Sequence, residues 1–167
     1  MITLVLGGAR SGKSEVAEGL VAVHGSRVAY VATAEVTDAD FAARVQRHRD
    51  RRDASWTTLE LADADLPAVV AAHPDSADAA VLIDSLGTWV ARTPAFAADA
   101  SALVRALQGR IGLTVVVSEE VGMGVHPETE VGRQFRDALG LVNRVVADAA
   151  DEVLLVVAGR TLRLPAP

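Results

Sequence analysis

The chain has 167 residues, of which 50% are hydrophobic and 23% are charged, so its composition favours one folded domain over a disordered segment. Its 16 basic and 22 acidic residues give a formal net charge of −6, which argues against a general binder of nucleic acids or membrane surfaces. The absence of cysteine excludes disulfides, thiolate zinc sites and cysteine nucleophiles.

Short apolar runs alternate along the chain with longer helical patterns. Buried strands are predicted at Ile2–Leu6, Val28–Ala32, Val81–Ile83, Thr114–Val117 and Val153–Val157, with a short edge strand at Thr161–Leu164. Helices are predicted near Lys13–His24, Asp38–Asp53, Leu66–Ala72, Ala97–Arg110 and Val131–Ala149, and a loop at Gly122–Glu130. This alternation predicts an α/β fold with a mainly parallel sheet and helices on both faces. No linker or repeat interrupts it, so residues 1–167 are expected to form a single domain.

No segment has the pattern of a membrane span or a targeting signal. A helix that crosses a bilayer needs about 18 apolar residues, whereas the longest apolar runs have the length of buried strands. The apolar start Met1–Leu6 is short and has no cationic stretch before it. A cytoplasmic protein without membrane insertion is therefore expected.

Residues 7–14 match the phosphate-loop pattern G-x-x-x-x-G-K-[ST] at every fixed position, and they lie between a predicted strand and a predicted helix. The residues are Gly7, Gly8, Ala9, Arg10, Ser11, Gly12, Lys13 and Ser14. Lys13 is the only lysine in a chain with 15 arginines, which suggests a role that a guanidinium cannot fill. The pattern predicts a nucleotide site on a fold of the P-loop NTPase (RecA-like) class, with Lys13 on the β- and γ-phosphates.

A Mg²⁺ ion bound with the nucleotide would be held by the Ser14 hydroxyl and by a carboxylate at the end of a neighbouring strand. Asp84 has that position, and Glu119 and Glu120 are competitors for the role. Carboxylates are common at strand ends of this architecture, so the position alone is weak support. The N-K-x-D pattern of regulatory GTPases cannot occur, because it requires a second lysine.

His48 lies within a cluster of five arginines in nine residues: Arg44, Arg47, Arg49, Arg51 and Arg52. Neighbouring guanidinium groups disfavour the imidazolium form, which leaves a neutral nucleophile beside groups that bind phosphate. The alternative is a solvated basic helix face with an incidental histidine. Spacing alone favours this alternative, since most charge runs are solvated surface.

Several segments together resemble one family, the bifunctional adenosylcobinamide kinase/adenosylcobinamide-phosphate guanylyltransferases of cobalamin synthesis. The resemblance begins with the phosphate loop and continues in residues 42–60, which include Ala42, His48, Trp56 and Glu60. It also covers the strand end Asp84-Ser85-Leu86. Its last part is Glu120–Gly124 with Pro127, Phe135–Asp137, Gly140 and Asn143. It covers nearly the whole chain. The phosphate loop is unspecific, whereas the histidine segment and E-V-G-M-G are specific.

The resemblance implies two activities. One phosphorylates adenosylcobinamide with ATP or GTP, and the other transfers GMP from GTP to adenosylcobinamide phosphate through a guanylyl-histidine, for which His48 has the position. By the same resemblance the nucleotide-binding residues are residues 7–14, Ala32, Thr33, Ala34, Arg49, Asp50, Arg51, Arg52, Glu60 and Asp84, and Ser14 and Asp84 would bind Mg²⁺. The resemblance also implies a homotrimer and a small corrinoid as the substrate.

The chain departs from the family pattern at three positions. Glu119 stands where asparagine is frequent, Ser85 follows the strand-end acid where cysteine is frequent, and Asp53 stands where proline is frequent. Glu119 adds a negative charge next to the expected substrate loop, where it bears on the kinase step.

Two other functions are compatible with the residues alone. A simple P-loop kinase would use the arginine cluster to bind its acceptor and would never carry covalent GMP, and a regulatory module would bind nucleotide without turnover. In the bifunctional enzyme, phosphorylation requires the acceptor at the γ-phosphorus, whereas guanylylation requires His48 at the α-phosphorus. A shift of the nucleotide, a shift of the His48 segment or a second site would satisfy both.

Overall fold

The structure, a computed structural model, describes residues 1–24, 27–35, 53–61 and 65–166. The strands of this part are β1 (Ile2–Gly7), β2 (Arg27–Ala32), β3 (Thr57–Glu60), β4 (Ala79–Asp84), β5 (Leu113–Glu119), β6 (Glu152–Val157) and β7 (Arg160–Leu164). Its helices are α1 (Lys13–His24), α2 (Leu66–Ala72), α3 (Leu86–Arg92), α4 (Ala100–Gln108) and α5 (Glu130–Ala149), with a 3₁₀ turn at Pro94–Phe96.

The strands form one sheet in the order β3-β2-β4-β5-β1-β6-β7. All neighbouring strands are parallel except β6 and β7, which form an antiparallel hairpin. β1 lies between β5 and β6, so the loop that follows β1 leaves the middle of the sheet. The mainly parallel sheet that the sequence predicts is confirmed.

Side chains alternate between two cores, one on each face of the sheet. On one face, Leu4 belongs to an apolar cluster with residues of α2, α3, α4 and α5, such as Leu139. On the other face, Val5 packs in a cluster with Ala17 and Val21 of α1. The central strands β1, β2, β4 and β5 are buried on both sides, as expected for a parallel sheet covered by helices. This α/β arrangement, with a strand, a phosphate loop and a helix in succession, confirms the P-loop NTPase-like fold class.

The predicted elements are found with small changes at their ends. The helix predicted at Ala97–Arg110 begins at Ala100, because the Asp99 side chain accepts a hydrogen bond from the Ala102 N–H and caps the helix there. The structure also contains β3, α3 and the 3₁₀ turn, which the sequence patterns do not predict. The helix predicted at Asp38–Asp53 lies outside the described residues except for Asp53, which is not helical. Among the described helices, none combines the length and apolar character of a membrane span.

Candidate nucleotide-binding site

The phosphate loop connects the end of β1 to the start of α1 and depends on glycine at two points. A Cβ on Gly7 would lie 2.8 Å from the Val156 carbonyl oxygen and would also meet the Ser11 hydroxyl. Gly12 has a φ of +92°, a conformation that L side chains rarely adopt. The Val16 N–H donates to the Gly12 carbonyl (3.0 Å), so the helix begins directly after the loop. Its first N–H groups are therefore available to an anion.

The turn between β6 and β7 supports this loop from the other side. The backbone N–H of Gly159 donates to the Ser11 carbonyl over 2.8 Å. The turn is tight, since Ala158 and Gly159 have φ values of +50° and +74°. A Cβ on Gly12 would lie 3.5 Å from the Gly159 Cα, so the two turns are in van der Waals contact. The loop conformation is thus fixed partly by residues near the other end of the chain.

Lys13, the only lysine, is 12% exposed and has two oxygen partners. Its ammonium donates to the Gly8 carbonyl (3.3 Å) and lies 3.5 Å from Glu119 Oε1. Glu119 ends β5, and its Cα pairs with that of Gly7 in the sheet register. The ammonium group therefore lies between the phosphate loop and a carboxylate of the neighbouring strand.

Asp84 and Ser14 are the residues predicted to bind Mg²⁺. Asp84 ends β4 and is half-buried, and its Oδ2 accepts a hydrogen bond from the Tyr30 hydroxyl (3.0 Å). Ser14 is half-buried in the first turn of α1. The described residues contain no cluster of three or more histidine or carboxylate side chains that could hold a metal ion alone. Mg²⁺ bound with a nucleotide needs only one or two protein oxygens, because phosphates and water supply the rest, so this pair fits the ion.

Other predicted nucleotide contacts extend along the same edge of the sheet, away from the phosphate loop. The Ala32 Cα pairs with Asp84 on one side and with Glu60 on the other. The exposed Glu60 lies four strands from β1, which corresponds to roughly 19 Å at the usual strand spacing. Ala34 is half-buried beyond the end of β2. Asp84 therefore lies closer to the phosphate loop than Ala32 or Glu60 does.

Thr33 is fully buried, and its hydroxyl is engaged within the protein. It accepts a hydrogen bond from the Ser85 N–H (2.7 Å) and lies within hydrogen-bond distance of the Ser85 carbonyl (2.7 Å) and the Thr88 hydroxyl (2.6 Å). The Arg92 guanidinium donates to the carbonyl oxygens of Thr33 (2.9 Å) and Leu61 (2.8 Å). These bonds fix the backbone where β2 and β3 end. The Thr33 side chain therefore contributes to the site by holding this backbone in place.

The predicted nucleophile and its cationic neighbours lie outside the described residues. These are His48, Arg49, Asp50, Arg51 and Arg52. The described chain stops at Glu35, just beyond the carboxyl end of β2, and resumes at Asp53, before β3. The assignment of His48 stays a prediction from the resemblance.

A contact between Ser85 and Glu119 is the feature that sequence reasoning missed. The Ser85 hydroxyl lies 2.9 and 3.0 Å from the two Glu119 carboxylate oxygens, to which it donates. Gly87 in α3 leaves the room for this carboxylate, because a Cβ there would collide with it. The two residues are 34 positions apart, and the only available signal was that both depart from the family pattern.

Comparison with known proteins shows the family of the chain. The model of the CobU family, described as cobinamide kinase / cobinamide phosphate guanyltransferase, matches residues 3–164. The "Bifunctional adenosylcobalamin biosynthesis protein CobU" of Salmonella typhimurium is 39% identical over 179 residues, covering 95% of this chain and 97% of that protein. The "Bifunctional adenosylcobalamin biosynthesis protein CobP" of Pseudomonas aeruginosa is 36% identical over 173 residues, covering 100% of this chain and 96% of that protein.

A solved structure from Pyrococcus horikoshii OT3 shares the fold, with a TM-score of 0.53 and 9% identity over 97% of this chain and 84% of that one. At such low identity the likeness concerns the fold alone. The family model, by contrast, spans nearly every residue, and the relatives align along almost their full length. The chain belongs to the cobinamide kinase / cobinamide phosphate guanyltransferase family.

Proposed function

We propose that this protein phosphorylates adenosylcobinamide and then transfers GMP from GTP to adenosylcobinamide phosphate, giving adenosylcobinamide-GDP in the assembly of the cobalamin nucleotide loop. The observation that carries the proposal is the phosphate loop with Lys13 at the centre of the sheet, in a chain whose family is defined by these two activities. The loop provides the triphosphate site that both reactions require.

In the phosphorylation step the protein binds and orients the nucleotide. The first N–H groups of α1 and the Lys13 ammonium bind the phosphates, with the γ-phosphate toward Glu119 and Asp84. Ser14 and Asp84 would hold Mg²⁺, which would neutralise charge on the phosphates. The acceptor hydroxyl attacks the γ-phosphorus, and the nucleoside diphosphate leaves.

In the guanylyl-transfer step His48 is proposed as the nucleophile. An imidazole nitrogen attacks the α-phosphorus of GTP, a nitrogen–phosphorus bond forms, and the bond to pyrophosphate breaks. A phosphate oxygen of the acceptor then displaces GMP from His48. Arg49, Arg51 and Arg52 would stabilise the negative charge that develops on the phosphorus-bound oxygens.

Several finer properties belong to the same proposal. Residues 1–167 act as one nucleotide-binding domain that uses Mg²⁺ with GTP, and with ATP or GTP as phosphoryl donor. The partner is a small corrinoid, and the protein binds no nucleic acid and does not insert into membranes. It works as a homotrimer in the cytoplasm, which contains nucleoside triphosphates. The negative net charge supports the exclusion of nucleic acid, and the family match over residues 3–164 supports the corrinoid partner.

The test is covalent labelling with GTP that carries its label on the α-phosphate. Wild-type protein with Mg²⁺ should retain a label that is labile in acid and stable in base. His48→Asn should abolish it, whereas His24→Asn, at the exposed end of α1, should not. Labelling of His48→Asn at the wild-type level would refute the nucleophile, and phosphorylation without any labelling would instead indicate a simple kinase.

A further inference from the structure

Glu119 carries a carboxylate beside the phosphate loop, next to the ammonium of Lys13. It is 29% exposed at the end of β5, and its side chain reaches both Lys13 (3.5 Å) and the Ser85 hydroxyl (2.9 Å). Its backbone carbonyl accepts a hydrogen bond from Asn143 Nδ2 (3.1 Å), and Asn143 in turn accepts one from Ser118 (2.6 Å). The position of this carboxylate is therefore set by β5, α3 and α5 together.

The arrival of a triphosphate changes the partners of this carboxylate. Lys13 is required by the β- and γ-phosphates, so its ammonium becomes shared between the phosphates and Glu119. A carboxylate beside a phosphate is repelled unless a proton donor or a cation lies between them. Ser85 donates to both carboxylate oxygens, and the Lys13 ammonium lies beside one of them. Each carboxylate oxygen has further lone pairs, and an alcohol that approaches the γ-phosphorus can donate its O–H group to one of them.

We propose that Glu119 is a catalytic residue of the phosphorylation step, binding the acceptor alcohol and removing its proton; this rests on the proposed function. The alcohol oxygen forms a bond to the γ-phosphorus while the bond from that phosphorus to the β–γ bridging oxygen breaks. The hydroxyl proton passes to a Glu119 carboxylate oxygen, and the nucleoside diphosphate leaves with the bonding electron pair. The substrate class of this subsite is a primary or secondary alcohol attached to the corrinoid.

Asp84 is the other strand-end carboxylate of this region, and its surroundings differ. One of its oxygens binds the Tyr30 hydroxyl, and it lies on β4, one strand further from the loop. Glu119 pairs directly with Gly7 and contacts Lys13, which places its carboxylate closer to the transferred group. The guanylyl-transfer acceptor is a phosphate and offers no alcohol proton. Glu119 is therefore specific to one of the two steps.

The experiment compares both half-reactions in Glu119→Gln, Glu119→Asp and Asp148→Asn. Phosphorylation of the corrinoid is measured at saturating nucleotide, and guanylyl transfer is measured on acceptor that the wild-type protein has already phosphorylated. Glu119→Gln should lower kcat for phosphorylation by about 100-fold, and far more than it lowers guanylyl transfer. Glu119→Asp should recover part of the lost rate because it restores a carboxylate. Asp148→Asn removes an exposed carboxylate of α5 and should change neither rate.

Any other result would overturn the assignment of Glu119 as the base of the phosphorylation step. If Glu119→Gln phosphorylates at the wild-type rate, or loses both half-reactions equally, Glu119 is not the base. If Glu119→Asp phosphorylates the corrinoid no faster than Glu119→Gln, the proposal that a carboxylate removes the proton is wrong. A wild-type protein that labels with GMP but phosphorylates no corrinoid would overturn the role of Glu119 and the kinase half of the proposed function, whereas the loss of activity only in Glu119→Gln leaves that function intact.

Discussion

Asp75 joins two segments that are far apart in the sequence. One carboxylate oxygen accepts hydrogen bonds from Arg110 (3.0 Å) and from the Gly112 N–H (3.2 Å), and the other accepts one from the Ile111 N–H. Burial raises the pKa of Asp75, but the two N–H groups and the Arg110 charge outweigh burial and lower that pKa below its ordinary value. The folded chain therefore stabilises the ionised carboxylate.

We expect the free energy of unfolding to fall as the pH is lowered below about 4, the pKa of an aspartate in an unfolded chain. Below that pH the unfolded chain binds more protons than the folded one, so acid favours unfolding. Asp75→Asn should destabilise the protein at pH 7 by about 2 kcal/mol and flatten the acid slope. Urea unfolding between about pH 2.5 and about pH 7, a range that brackets the titration of aspartate, measures both effects.

Asp148→Asn, at an exposed position on α5, is the matched control and should keep the wild-type slope. Asp78 contributes a second part of the acid dependence, because hydrogen bonds from Arg27 and Ser76 lower its pKa to about 2. An Asp75→Asn protein with an unchanged acid slope would show that the Asp75 contacts do not stabilise the carboxylate.

The sequence predicts the role of some residues but not the contacts of others. The role of Lys13 follows from a local pattern, since the spacing of residues 7–14 dictates a turn and a helix start. The contact between Ser85 and Glu119 depends on the pairing of β4 with β5, which no local pattern specifies. Long-range contacts of this kind are set by tertiary packing, so they were beyond prediction.

Among the elements, α3 shows how a short helix shapes the candidate site. Its N-terminal cap is Ser85, whose side chain accepts a hydrogen bond from the Thr88 N–H, while the Thr88 hydroxyl accepts one from the Ser85 N–H. Gly87 follows in the first turn, directly against the Glu119 carboxylate. The helix thus contributes a hydrogen-bond donor and an open space to the same side chain.

Gly87→Ala should displace the Glu119 carboxylate, because a Cβ at this position collides with the end of that side chain. We expect slower phosphorylation of the corrinoid with little change in thermal stability, since the glutamate side chain can rotate away. Gly140→Ala on α5 is the control: its Cβ meets nothing within 4 Å, so it should stabilise the protein by about 0.5–1 kcal/mol and leave the rate unchanged. Calorimetry measures the change in stability of each variant, and the phosphorylation assay measures the change in rate. An unimpaired rate in Gly87→Ala would contradict this account of the contact.

The missed elements are those with the weakest patterns. β3 has four residues, none of them fully buried, so it lacks the apolar run that marks the central strands. α3 has seven residues, including a glycine, and follows a buried strand almost without a loop. In contrast, α1 and α2 have the bounds that the sequence predicts. Their patterns are longer or begin at a clear cap, such as Asp65 before α2.

At the scale of the whole molecule, the strand order decides which residues can meet a nucleotide. β1 lies centrally, with Glu119 on the adjacent strand and Asp84 one strand beyond. The β6–β7 turn supports the loop from the opposite side. Runs of apolar residues predict that strands exist and that they are parallel, but the order of strands depends on how the helices cross over, which the runs do not encode.

A bound nucleotide should stabilise the whole fold, because the loop connects the central strand to α1. GTP with Mg²⁺ at about 100 times its dissociation constant should add about 2.7 kcal/mol, a rise in Tm of roughly 5–10 °C. Lys13→Ala should lose most of this shift, whereas Arg144→Ala, which removes an exposed cation of α5, should keep it. Differential scanning fluorimetry measures all three proteins. A full shift in Lys13→Ala would contradict the assignment of Lys13 to the phosphates.

The bond between the Gly159 N–H and the Ser11 carbonyl has a consequence for biosynthesis of the protein. The loop at residues 7–14 leaves the ribosome long before the turn at Ala158 and Gly159 that supports it. β1 likewise waits for β5 and β6, which are more than a hundred residues later. A nascent chain therefore cannot complete the triphosphate cradle until Gly159 has left the ribosome, so GTP can assist folding only after that point.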